Sequence, residues 1–424
     1  MEIRILPRKL TGTIEAMPSK SHAHRLLIAK KLSQLQGHAL EDGLEIPAFS
    51  DDIEATMGCL DQLDKNAPFL DCRESGSTLR FMLPVAMALK ESATFLGTGR
   101  LPNRPLSPLK EEMERHGCTF HKGKDSGSDQ DPFKEICTVT GKLQAGDYVL
   151  AGNVSSQFIT GLLFALPLLE GDSTISLTTQ LESAGYVEMT LDVLRSFNIE
   201  VNISENEDGL LRYEIPGRQV YEEKPGLTLD GDWSNAAFWL AAGALSGDIT
   251  ITGLRLESSQ WDKEILNILE RMGADLDAQP QEDGTVSIRS KASNLKGVEV
   301  DVAQIPDVTP ILSVIMAFAE GTSMITHAER LQFKESNRLK AIYSVLYNLD
   351  ADISYGGDWL SVTGKAFLEG GSVDSYGDHR IAMSAAVASC LCREPVILSN
   401  PTAVSKSYPD FFNDFETLGG EIEY

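Results

Sequence analysis

The sequence has few basic residues for its length. Its 424 residues include 37 Lys and Arg against 62 Asp and Glu, and the formal net charge at pH 7 is -25. Nucleic acids and anionic membrane surfaces would repel such a chain, so we expect neither as a partner. The low number of basic residues still permits binding of a small anionic substrate, provided that the few cations are gathered in one place.

Long apolar runs are also missing. The longest, such as ILSVIMAFA at 311–319, are far shorter than the roughly 20 residues of a membrane-spanning helix. The N-terminal stretch has no uninterrupted apolar segment of the kind found in signal peptides. The 6 cysteines are scattered, without the spacing of zinc ligands. We therefore expect a reduced, cytoplasmic protein with no structural metal.

An internal repeat organises the chain. Six times, an Ala- and Leu-rich helical segment leads into a β-rich segment, with junctions at positions 37, 91, 171, 247, 321 and 393. A second series, in which a helix stops before a strand, has junctions at 64, 117, 198, 273, 350 and 419. Because the two series advance together, each unit is predicted to contain helix, strand, helix and strand, with further strand material before the next unit.

These repeats predict two domains. Units of roughly seventy residues are too large for a solenoid and suit three copies in each domain. The Gly- and Pro-containing stretch at 222–232 is the candidate hinge, and a second crossing is expected between Thr11 and Pro18. The predicted domains are 1–18 together with 229–424, and the inserted 19–228.

Polar residues precede the first helix of every unit, in PSKSHAHR, RESGSTLR, GNVSSQF, DGDWSNAAF, QIPDVTPI and YGDHRIAM. Each stretch supplies Ser, Thr, Asp or Asn, so helix capping is the simplest interpretation of any one of them. Capping does not explain the cations Lys20, Arg25, Arg80 and Arg380, because a helix N-terminus is already positive. Cations beside free N–H groups favour an anion site.

Other groups are placed to join such a site. Two pairs are four residues apart and are expected to share a helix face: Ser21 with Arg25, and Lys334 with Arg338. Two more cations lie on predicted loops after strands: Arg104 and Lys406. Since equivalent units aim their helix ends the same way, we expect these groups to meet in a cleft between the two domains.

Two acidic residues lie among these cations. Asp307 is interpreted either as the cap of the following helix or as a general base. Glu335, between Lys334 and Arg338, is either a surface salt-bridge partner or a general base. The residues alone leave both alternatives open.

The motifs together resemble one known family. SKSHAHR, ESGSTLR, RPLSPL, VSSQF, IPD, KESNRL, GDHRIAM and SKSYPDFF occur in the order found in 5-enolpyruvylshikimate-3-phosphate synthases, which are enolpyruvyl transferases. The match covers essentially the whole chain. The resemblance implies a two-domain inside-out α/β barrel, with three βαβαββ repeats in each domain and the active site in the inter-domain cleft.

The resemblance also implies a reaction in the shikimate pathway to chorismate and the aromatic amino acids. The enolpyruvyl group of phosphoenolpyruvate moves to the 5-hydroxyl of shikimate 3-phosphate, through a tetrahedral intermediate, and phosphate is released. No metal or organic cofactor is implied. The family is usually monomeric, so a monomer acting on these two small molecules is expected.

Site residues follow from the same resemblance. For shikimate 3-phosphate they are Lys20, Ser21, Arg25, Ser155, Ser156, Gln157, Ser183, Tyr186, Asp307 and Lys334. For phosphoenolpyruvate they are Lys20, Gly76, Arg104, Gln157, Arg338, Arg380 and Lys406. Asp307 is implied as the base at the 5-hydroxyl, and Glu335 with Lys20 as the proton carrier at the enolpyruvyl carbon. Possible further members are His379, Arg330, Glu74 and Arg80, while His22 and His24 have no implied role.

Three other functions fit parts of the pattern. UDP-N-acetylglucosamine enolpyruvyl transferases typically carry a reactive Cys in a mobile loop, and LGTGRLPNRP has none. An RNA 3'-phosphate cyclase has similar repeats, but the negative charge disfavours nucleic acid. A non-catalytic anion-binding scaffold is the third alternative, and it predicts that Asp307 and Glu335 matter for nothing beyond stability.

Overall fold

The computed structural model describes residues 1–123 and 134–424. The chain forms two compact units. The first, here called the terminal unit, consists of Met1–Ser19 and Asp230–Tyr424. The second, here called the inserted unit, consists of Lys20–Leu229. The chain therefore passes between the units at two places, after Ser19 and after Leu229.

The chain starts with two strands of the terminal unit, β1 (Glu2–Leu6) and β2 (Thr11–Glu15). The inserted unit then opens with two helices, α1 (Lys20–Gln36) and α2 (Asp51–Gln62). Its remaining elements are β3 (Phe69–Asp71), α3 (Gly76–Leu89), β4 (Ser92–Gly97), α4 (Leu109–Arg115), β5 (Thr119–Lys122), β6 (Lys134–Thr140), β7 (Asp147–Leu150), α5 (Ser156–Ala165), β8 (Ser173–Leu177), α6 (Ala184–Ser196), β9 (Asn202–Glu205) and β10 (Leu211–Ile215).

The rest of the chain completes the terminal unit. Its elements are α7 (Trp233–Ser246), β11 (Asp248–Leu254), α8 (Ile265–Met272), β12 (Asp275–Pro280), β13 (Val286–Lys291), β14 (Glu299–Asp301), α9 (Thr309–Phe318), β15 (Thr322–Thr326), α10 (Arg338–Asn348), β16 (Asp352–Tyr355), β17 (Leu360–Thr363), β18 (Gly371–Asp374), α11 (His379–Ser389), β19 (Val396–Ser399), α12 (Phe411–Thr417) and β20 (Glu421–Glu423). No helix in the described ranges combines the length and the apolarity that crossing a bilayer requires.

The strands of the described ranges form five four-stranded sheets that share one arrangement of parallel and antiparallel neighbours. Their orders are β3-β4-β6-β5, β7-β8-β10-β9, β2-β11-β13-β12, β14-β15-β17-β16 and β18-β19-β1-β20. In each sheet the first two strands are parallel and the other contacts are antiparallel. A helix connects the two parallel strands in four of the sheets, because parallel neighbours need a crossover. In the sheet that begins with β2, that crossover also contains the whole inserted unit.

The N-terminal strands belong to sheets built mostly from the second half of the chain. β1 pairs antiparallel with both β19 and β20, and Ile5 stands opposite Val396 and Ile422. β2 pairs parallel with β11. The prediction that the N-terminal strand joins the C-terminal half is therefore confirmed.

The first predicted repeat differs from the other five. It contains α1 and α2, but the described residues from 37 to 49 form no strand, so the strand predicted after position 37 is wrong. Hydrogen bonds with side chains, rather than backbone pairing with another strand, hold this segment in place. Lys30 Nζ donates to Leu44 O at 2.6 Å, and the Leu40 amide donates to Glu223 at 3.1 Å. Pro47 within the segment also cannot donate to a ladder.

Helices that are apolar on all sides form the two cores. Every residue of α7 is buried in the terminal unit, and α3 and α5 are nearly as buried in the inserted unit. A helix without a polar face must be covered by other elements all round. Gly161 lets α5 pack closely on α3, since a Cβ there would lie 2.5 Å from the Arg80 carbonyl oxygen. This packing fixes the helix starts that carry the candidate site.

Candidate active site

A buried guanidinium organises the polar cluster of the terminal unit. Arg338 is the first residue of α10, and its side chain is 1% exposed. Its Nη1 donates to Asp307 at 2.8 Å, and its Nη2 donates to Glu335 at 2.7 Å. Its Nε donates to Asp378 at 2.8 Å. Burial opposes the charge, but the three carboxylates outweigh it and raise the pKa of Arg338 above its ordinary value.

Asp307 lies where three cations converge. Lys334 Nζ donates to it at 3.2 Å, and Arg380 Nη2 lies 3.5 Å from its second oxygen, in addition to the bond from Arg338. Val308, rather than Asp307, occupies the N-cap position of α9, which disfavours the helix-cap interpretation of Asp307. The side chain is 18% exposed. A partly exposed carboxylate whose charge is supported by cations can accept a proton from a bound hydroxyl.

Lys334 and Arg338 do not share a helix face, contrary to the prediction. Lys334 follows a short 3-10 helix (Glu329–Phe333), and α10 begins only at Arg338. They meet because both donate to Asp307. Burial lowers the pKa of Lys334, Asp307 opposes that shift, and Arg338 and Arg330 add to it. Arg330 is therefore near enough to oppose the positive charge of Lys334.

Glu335 is not a surface ion pair. Its partner is the buried Arg338, and its own side chain is 22% exposed. A carboxylate that is held by a fixed guanidinium keeps one orientation, and the exposed fraction leaves room for a proton to reach it. This geometry is compatible with the general acid–base alternative.

Sequence reasoning missed Asp378 as a member of this cluster. Asp378 is the N-cap of α11, where it accepts from the Arg380 amide at 3.0 Å. It also accepts from Ser336 at 3.0 Å and from Arg338, and its side chain is completely buried. The acidic cap in GDHR was the available signal, since a carboxylate buried at a helix start needs a cation partner.

Arg380 is fixed by α7 as well as by Asp307. Its Nη2 donates to Ser234 Oγ at 2.9 Å, and Ser234 in turn donates to Asp232 at 2.6 Å. His379 is 2% exposed, with Nδ1 3.9 Å from Asp378. Lys406 ends a 3-10 helix and donates to the carbonyl of Gly377 at 2.8 Å, directly before Asp378. The structure thus gathers most predicted site residues of the terminal unit around the starts of α9, α10 and α11: Asp307, Lys334, Glu335, Arg338, His379, Arg380 and Lys406.

The inserted unit has its own buried cation, Arg25 on α1. Its guanidinium donates to Thr190 Oγ1 at 2.9 Å, to the Tyr186 carbonyl at 2.9 Å and to the Ser21 carbonyl at 2.6 Å. The rings of Phe81 and Tyr186 lie 5.2 and 5.8 Å from its Cζ. Among the described residues, no carboxylate forms an ion pair with it, and burial lowers its pKa to about 9. A buried cation without a counterion is suited to a bound anion.

Lys20 and Ser21 begin α1 next to this cation. Lys20 Nζ donates to Asp52 at 2.7 Å, and both side chains are 14% exposed. Sequence reasoning missed Asp52, which belongs to the first turn of α2. Ser21 and Arg25 do share one helix face, as predicted, since the guanidinium contacts the Ser21 carbonyl one turn earlier.

Two hydrogen bonds fix the amide of Gln157. Arg80 Nη1 donates to Gln157 Oε1 at 2.6 Å, and Gln157 Nε2 donates to Ser77 Oγ at 2.9 Å. Ser155 is the N-cap residue of α5 and Ser156 its first residue, and both are mostly buried. The structure therefore orients Gln157 and leaves one of its amide hydrogens for another acceptor.

Ser183, Glu74 and Gly76 lie at other helix starts of the inserted unit. Ser183 precedes α6 with a left-handed backbone, φ 55, which is strained for a residue other than glycine. Gly76 is the first residue of α3, where a Cβ would overlap the guanidinium of Arg104. Glu74 lies two residues earlier, against Gly99. The missing side chain of Gly76 therefore allows Arg104 to lie on the helix start.

His24 occupies the interior behind these groups. Its Nδ1 lies 2.7 Å from Thr56 Oγ1, and Thr56 is hydrogen-bonded to Thr78 at 2.7 Å. Thr78 in turn donates to Ser75, the N-cap of α3. Burial, with smaller contributions from Lys20 and Arg25, lowers the pKa of His24 well below its usual value. His24 is therefore a neutral link between α1, α2 and α3.

A family model described as EPSP synthase (3-phosphoshikimate 1-carboxyvinyltransferase) matches residues 50–415. The chain belongs to the EPSP synthase family. A relative from Clostridium novyi named 3-phosphoshikimate 1-carboxyvinyltransferase is 38% identical, over 99% of this chain and 98% of its own. One of the same name from Clostridium kluyveri is 40% identical over the same shares. The predicted family and the assignment as a transferase are thereby confirmed.

Membership of the EPSP synthase family extends to the fold. The solved EPSP synthase from Acinetobacter baumannii superposes with a TM-score of 0.75, at 22% identity and with full coverage of both chains. This confirms the predicted α/β architecture. Among the described residues, no group of three or more His, Cys, Asp or Glu side chains is arranged to hold a metal ion.

Proposed function

We propose that this chain is the transferase that moves the enolpyruvyl group of phosphoenolpyruvate to the 5-hydroxyl of shikimate 3-phosphate. One observation carries the proposal beyond family membership. Asp307 stands between Lys334, Arg338 and Arg380, in a chain whose overall charge is strongly negative. A carboxylate kept within a group of cations suits a reaction in which anionic substrates bind beside a general base.

Shikimate 3-phosphate is assigned chiefly to the inserted unit. Arg25 supplies a buried charge that forms no ion pair with a carboxylate in the described ranges, and such a charge favours binding of the substrate's phosphate or carboxylate. The start of α5, with N–H groups near Ser155 and Ser156, favours the same kind of ligand. The remaining proposed contacts are Lys20, Ser21, Gln157, Ser183, Tyr186, Asp307 and Lys334.

Phosphoenolpyruvate is assigned to cations of both units. Arg104 lies on the start of α3 beside Gly76, and Arg338 and Arg380 surround Asp307. Together with Lys20 and Lys406, they offset the charge of a substrate that carries both a phosphate and a carboxylate. Gln157 is proposed to contact both substrates, because Arg80 and Ser77 fix its amide.

Two proton transfers define the proposed mechanism. Asp307 takes the proton of the 5-hydroxyl while that oxygen attacks C2 of phosphoenolpyruvate, and Glu335, with Lys20, supplies the proton that is added at C3. The tetrahedral intermediate then loses phosphate from C2 and a proton from the new methyl group, which restores the double bond. The proton carrier assigned to that last step is again Glu335 with Lys20. Positioning and proton transfer therefore supply the proposed catalysis.

Phosphate release tests the proposal. The purified chain is mixed with phosphoenolpyruvate and shikimate 3-phosphate, and phosphate and the mass of the product are followed. We expect one phosphate for each product that has gained a carboxyvinyl group. A parallel reaction with UDP-N-acetylglucosamine should release none. Release with the sugar nucleotide but not with shikimate 3-phosphate would contradict the proposal.

The chain is further proposed to act as a cytoplasmic monomer on these two small molecules, without nucleic acid or cofactor. The negative charge disfavours nucleic acid, and the resembled family is usually monomeric. Light scattering during size exclusion tests the state, and a mass near 46.3 kDa is expected. A dimer mass that persists on dilution would contradict it.

A further inference from the structure

The two places where the chain passes between the units lie side by side in the terminal unit. The Ser19 amide donates to the Asp230 carbonyl at 2.7 Å, and the Asp232 amide donates to the Met17 carbonyl at 2.8 Å. Pro18 and Gly231 form an antiparallel bridge between these two bonds. The last residues before the inserted unit are therefore held against the first residues after it.

One buried side chain ties both segments together. Gln260 is 3% exposed, and its Oε1 accepts from Ser19 Oγ and from the Trp233 amide, both at 3.1 Å. Its Nε2 donates to the Gly231 carbonyl at 2.9 Å and to Ser258 Oγ at 3.1 Å. All four hydrogen-bonding positions of the amide are thus used. Such a satisfied buried group specifies one arrangement of the segments it joins.

Ser258 extends this arrangement. Its hydroxyl donates to Asp230 at 2.8 Å while it accepts from Gln260. Gln260 precedes the 3-10 helix Trp261–Glu264, which follows β11, so it reaches the two crossings from a third segment of the terminal unit. The hydrogen bonds of Gln260 therefore connect the two crossing segments to a third segment that is separate from both in sequence.

Each segment that Gln260 holds is followed by a residue that either is a proposed ligand of phosphoenolpyruvate or contacts one. Ser19 is followed by Lys20, the first residue of α1. Trp233 is followed by Ser234, whose hydroxyl accepts from Arg380. We propose that Gln260 is a positioning residue that sets Lys20 and Arg380 for phosphoenolpyruvate by fixing both crossings of the chain. This inference rests on the proposed function, because it takes the roles of Lys20 and Arg380 from there.

Replacement by glutamate tests this role with little change in size. In Gln260→Glu the ionised side chain can no longer donate to the Gly231 carbonyl, so that bond becomes a repulsion. We expect the KM for phosphoenolpyruvate to rise about tenfold at pH 8, and the KM for shikimate 3-phosphate to change less than about threefold. Lys20 is proposed to contact both substrates, so a small change for shikimate 3-phosphate is expected. The change is smaller because Arg380 is assigned to phosphoenolpyruvate alone, and Arg25 and the α5 start are not held by Gln260.

A pH series separates positioning from general damage. When protonated, the introduced carboxyl group regains one O–H donor for Gly231, and burial favours that neutral form. We therefore expect the KM for phosphoenolpyruvate of Gln260→Glu, relative to wild type at each pH, to fall at least about threefold between pH 8 and pH 6. An unchanged ratio would overturn the proposal.

Ser290→Ala is the matched control. Ser290 is buried in the same unit and donates to the Leu240 carbonyl at 2.8 Å, away from both crossings. It should leave both KM values within about twofold of wild type. If Ser290→Ala raises the KM for phosphoenolpyruvate as much as Gln260→Glu does, the effect comes from any disturbance of the buried interior of this unit, and the proposal fails. If Gln260→Glu does not fold, Ser258→Ala is used in its place. It should also raise the KM for phosphoenolpyruvate more than the KM for shikimate 3-phosphate, by a smaller factor.

Phosphate release by the wild-type enzyme distinguishes failure of the proposed function from failure of the positioning role of Gln260. Wild-type enzyme that releases no phosphate with the two substrates refutes the proposed function. An active wild type combined with equal changes in both KM values for Gln260→Glu refutes the positioning role alone.

Discussion

Asp378 and Arg338 form a two-point ion pair inside the terminal unit, with Nε 2.8 Å from one carboxylate oxygen and Nη2 3.3 Å from the other. Both side chains are buried, and the pair joins the start of α10 to the start of α11. Arg338 also holds Asp307, so this pair fixes the guanidinium on which the proposed base depends.

Asp378→Asn should therefore lower the free energy of unfolding by about 3 kcal/mol, because it removes one charge of a buried pair. Urea unfolding monitored by fluorescence measures this. Asp350→Asn is the control, since Asp350 pairs with Lys365 where both side chains are exposed, and a change below about 1 kcal/mol is expected there. Equal losses for the two variants would contradict a special role for Asp378.

Asp307→Asn should reduce kcat by roughly a hundredfold or more, because the amide cannot take the hydroxyl proton. The side chain keeps its size, so binding of shikimate 3-phosphate should weaken far less than turnover. Phosphate release measures kcat and calorimetry measures binding. Asp301→Asn, an exposed partner of His327 in the same unit, should behave like wild type. Turnover near the wild-type value for Asp307→Asn would reject its role as base.

Arg25→Met should abolish most binding of shikimate 3-phosphate without destabilising the fold. Within residues 1–123 and 134–424 this buried charge has no carboxylate partner, and burying such a charge is costly, so its removal offsets the lost hydrogen bonds. In wild type, substrate at 100 times its Kd should add about 2.7 kcal/mol of stability. Thermal unfolding with and without substrate should show that gain for wild type and for Arg212→Met, whose side chain is only half-buried, but not for Arg25→Met. A large loss of stability without substrate would contradict the expectation.

Gly76→Ala should raise the KM for phosphoenolpyruvate about tenfold, because the new methyl group displaces the Arg104 guanidinium. Gly58→Ala provides a control in the same unit. Gly58 lies within α2 and a Cβ there meets nothing within 4 Å, so alanine should stabilise the helix by about 0.5–1 kcal/mol and leave KM unchanged. Steady-state kinetics of both variants give the two KM values for phosphoenolpyruvate to be compared. Indistinguishable KM values would remove Arg104 from the site.

His24 should make the protein less stable as the pH falls below about 6.5, the usual pKa of histidine. Its folded-state pKa is depressed, so in this range the unfolded chain binds a proton that the folded chain does not. The folded state therefore loses up to about 1.4 kcal/mol for each pH unit, until the folded pKa is reached.

His24→Gln should weaken that pH dependence. Urea unfolding at pH 7.5, 6.5 and 5.5 compares the slope for this variant with wild type and with His121→Gln, an exposed histidine of the same unit. His121→Gln should keep the wild-type contribution of His24. The same slope in His24→Gln as in wild type would show that other groups cause the loss.

The repeats could be predicted because they are local. Each helix-to-strand junction leaves its own pattern of apolar residues and stop signals, and five of the six repeats fold as four-stranded sheets. The strand predicted after position 37 was wrong because a strand needs a neighbouring strand for its backbone hydrogen bonds. This segment is held by the side chains of Lys30 and Glu223 instead.

The contacts of the candidate site were harder to predict because they join distant residues. Asp52 lies 32 residues from Lys20, and Arg80 lies 77 residues from Gln157, so no local pattern pairs them. Lys334 and Arg338 show the opposite error. Their spacing suits one helix face, but the chain turns before α10 begins, and Asp307 brings them together.

The pairing of β1 with β19 and β20 has a consequence for synthesis on the ribosome. The inserted unit is one continuous stretch and can fold while the second half of the chain is still being made. β1 is made before the inserted unit, yet its partners lie at 396–399 and 421–423, so it stays unpaired until both units have been synthesised. A strand made before the inserted unit is thus hydrogen-bonded only after it.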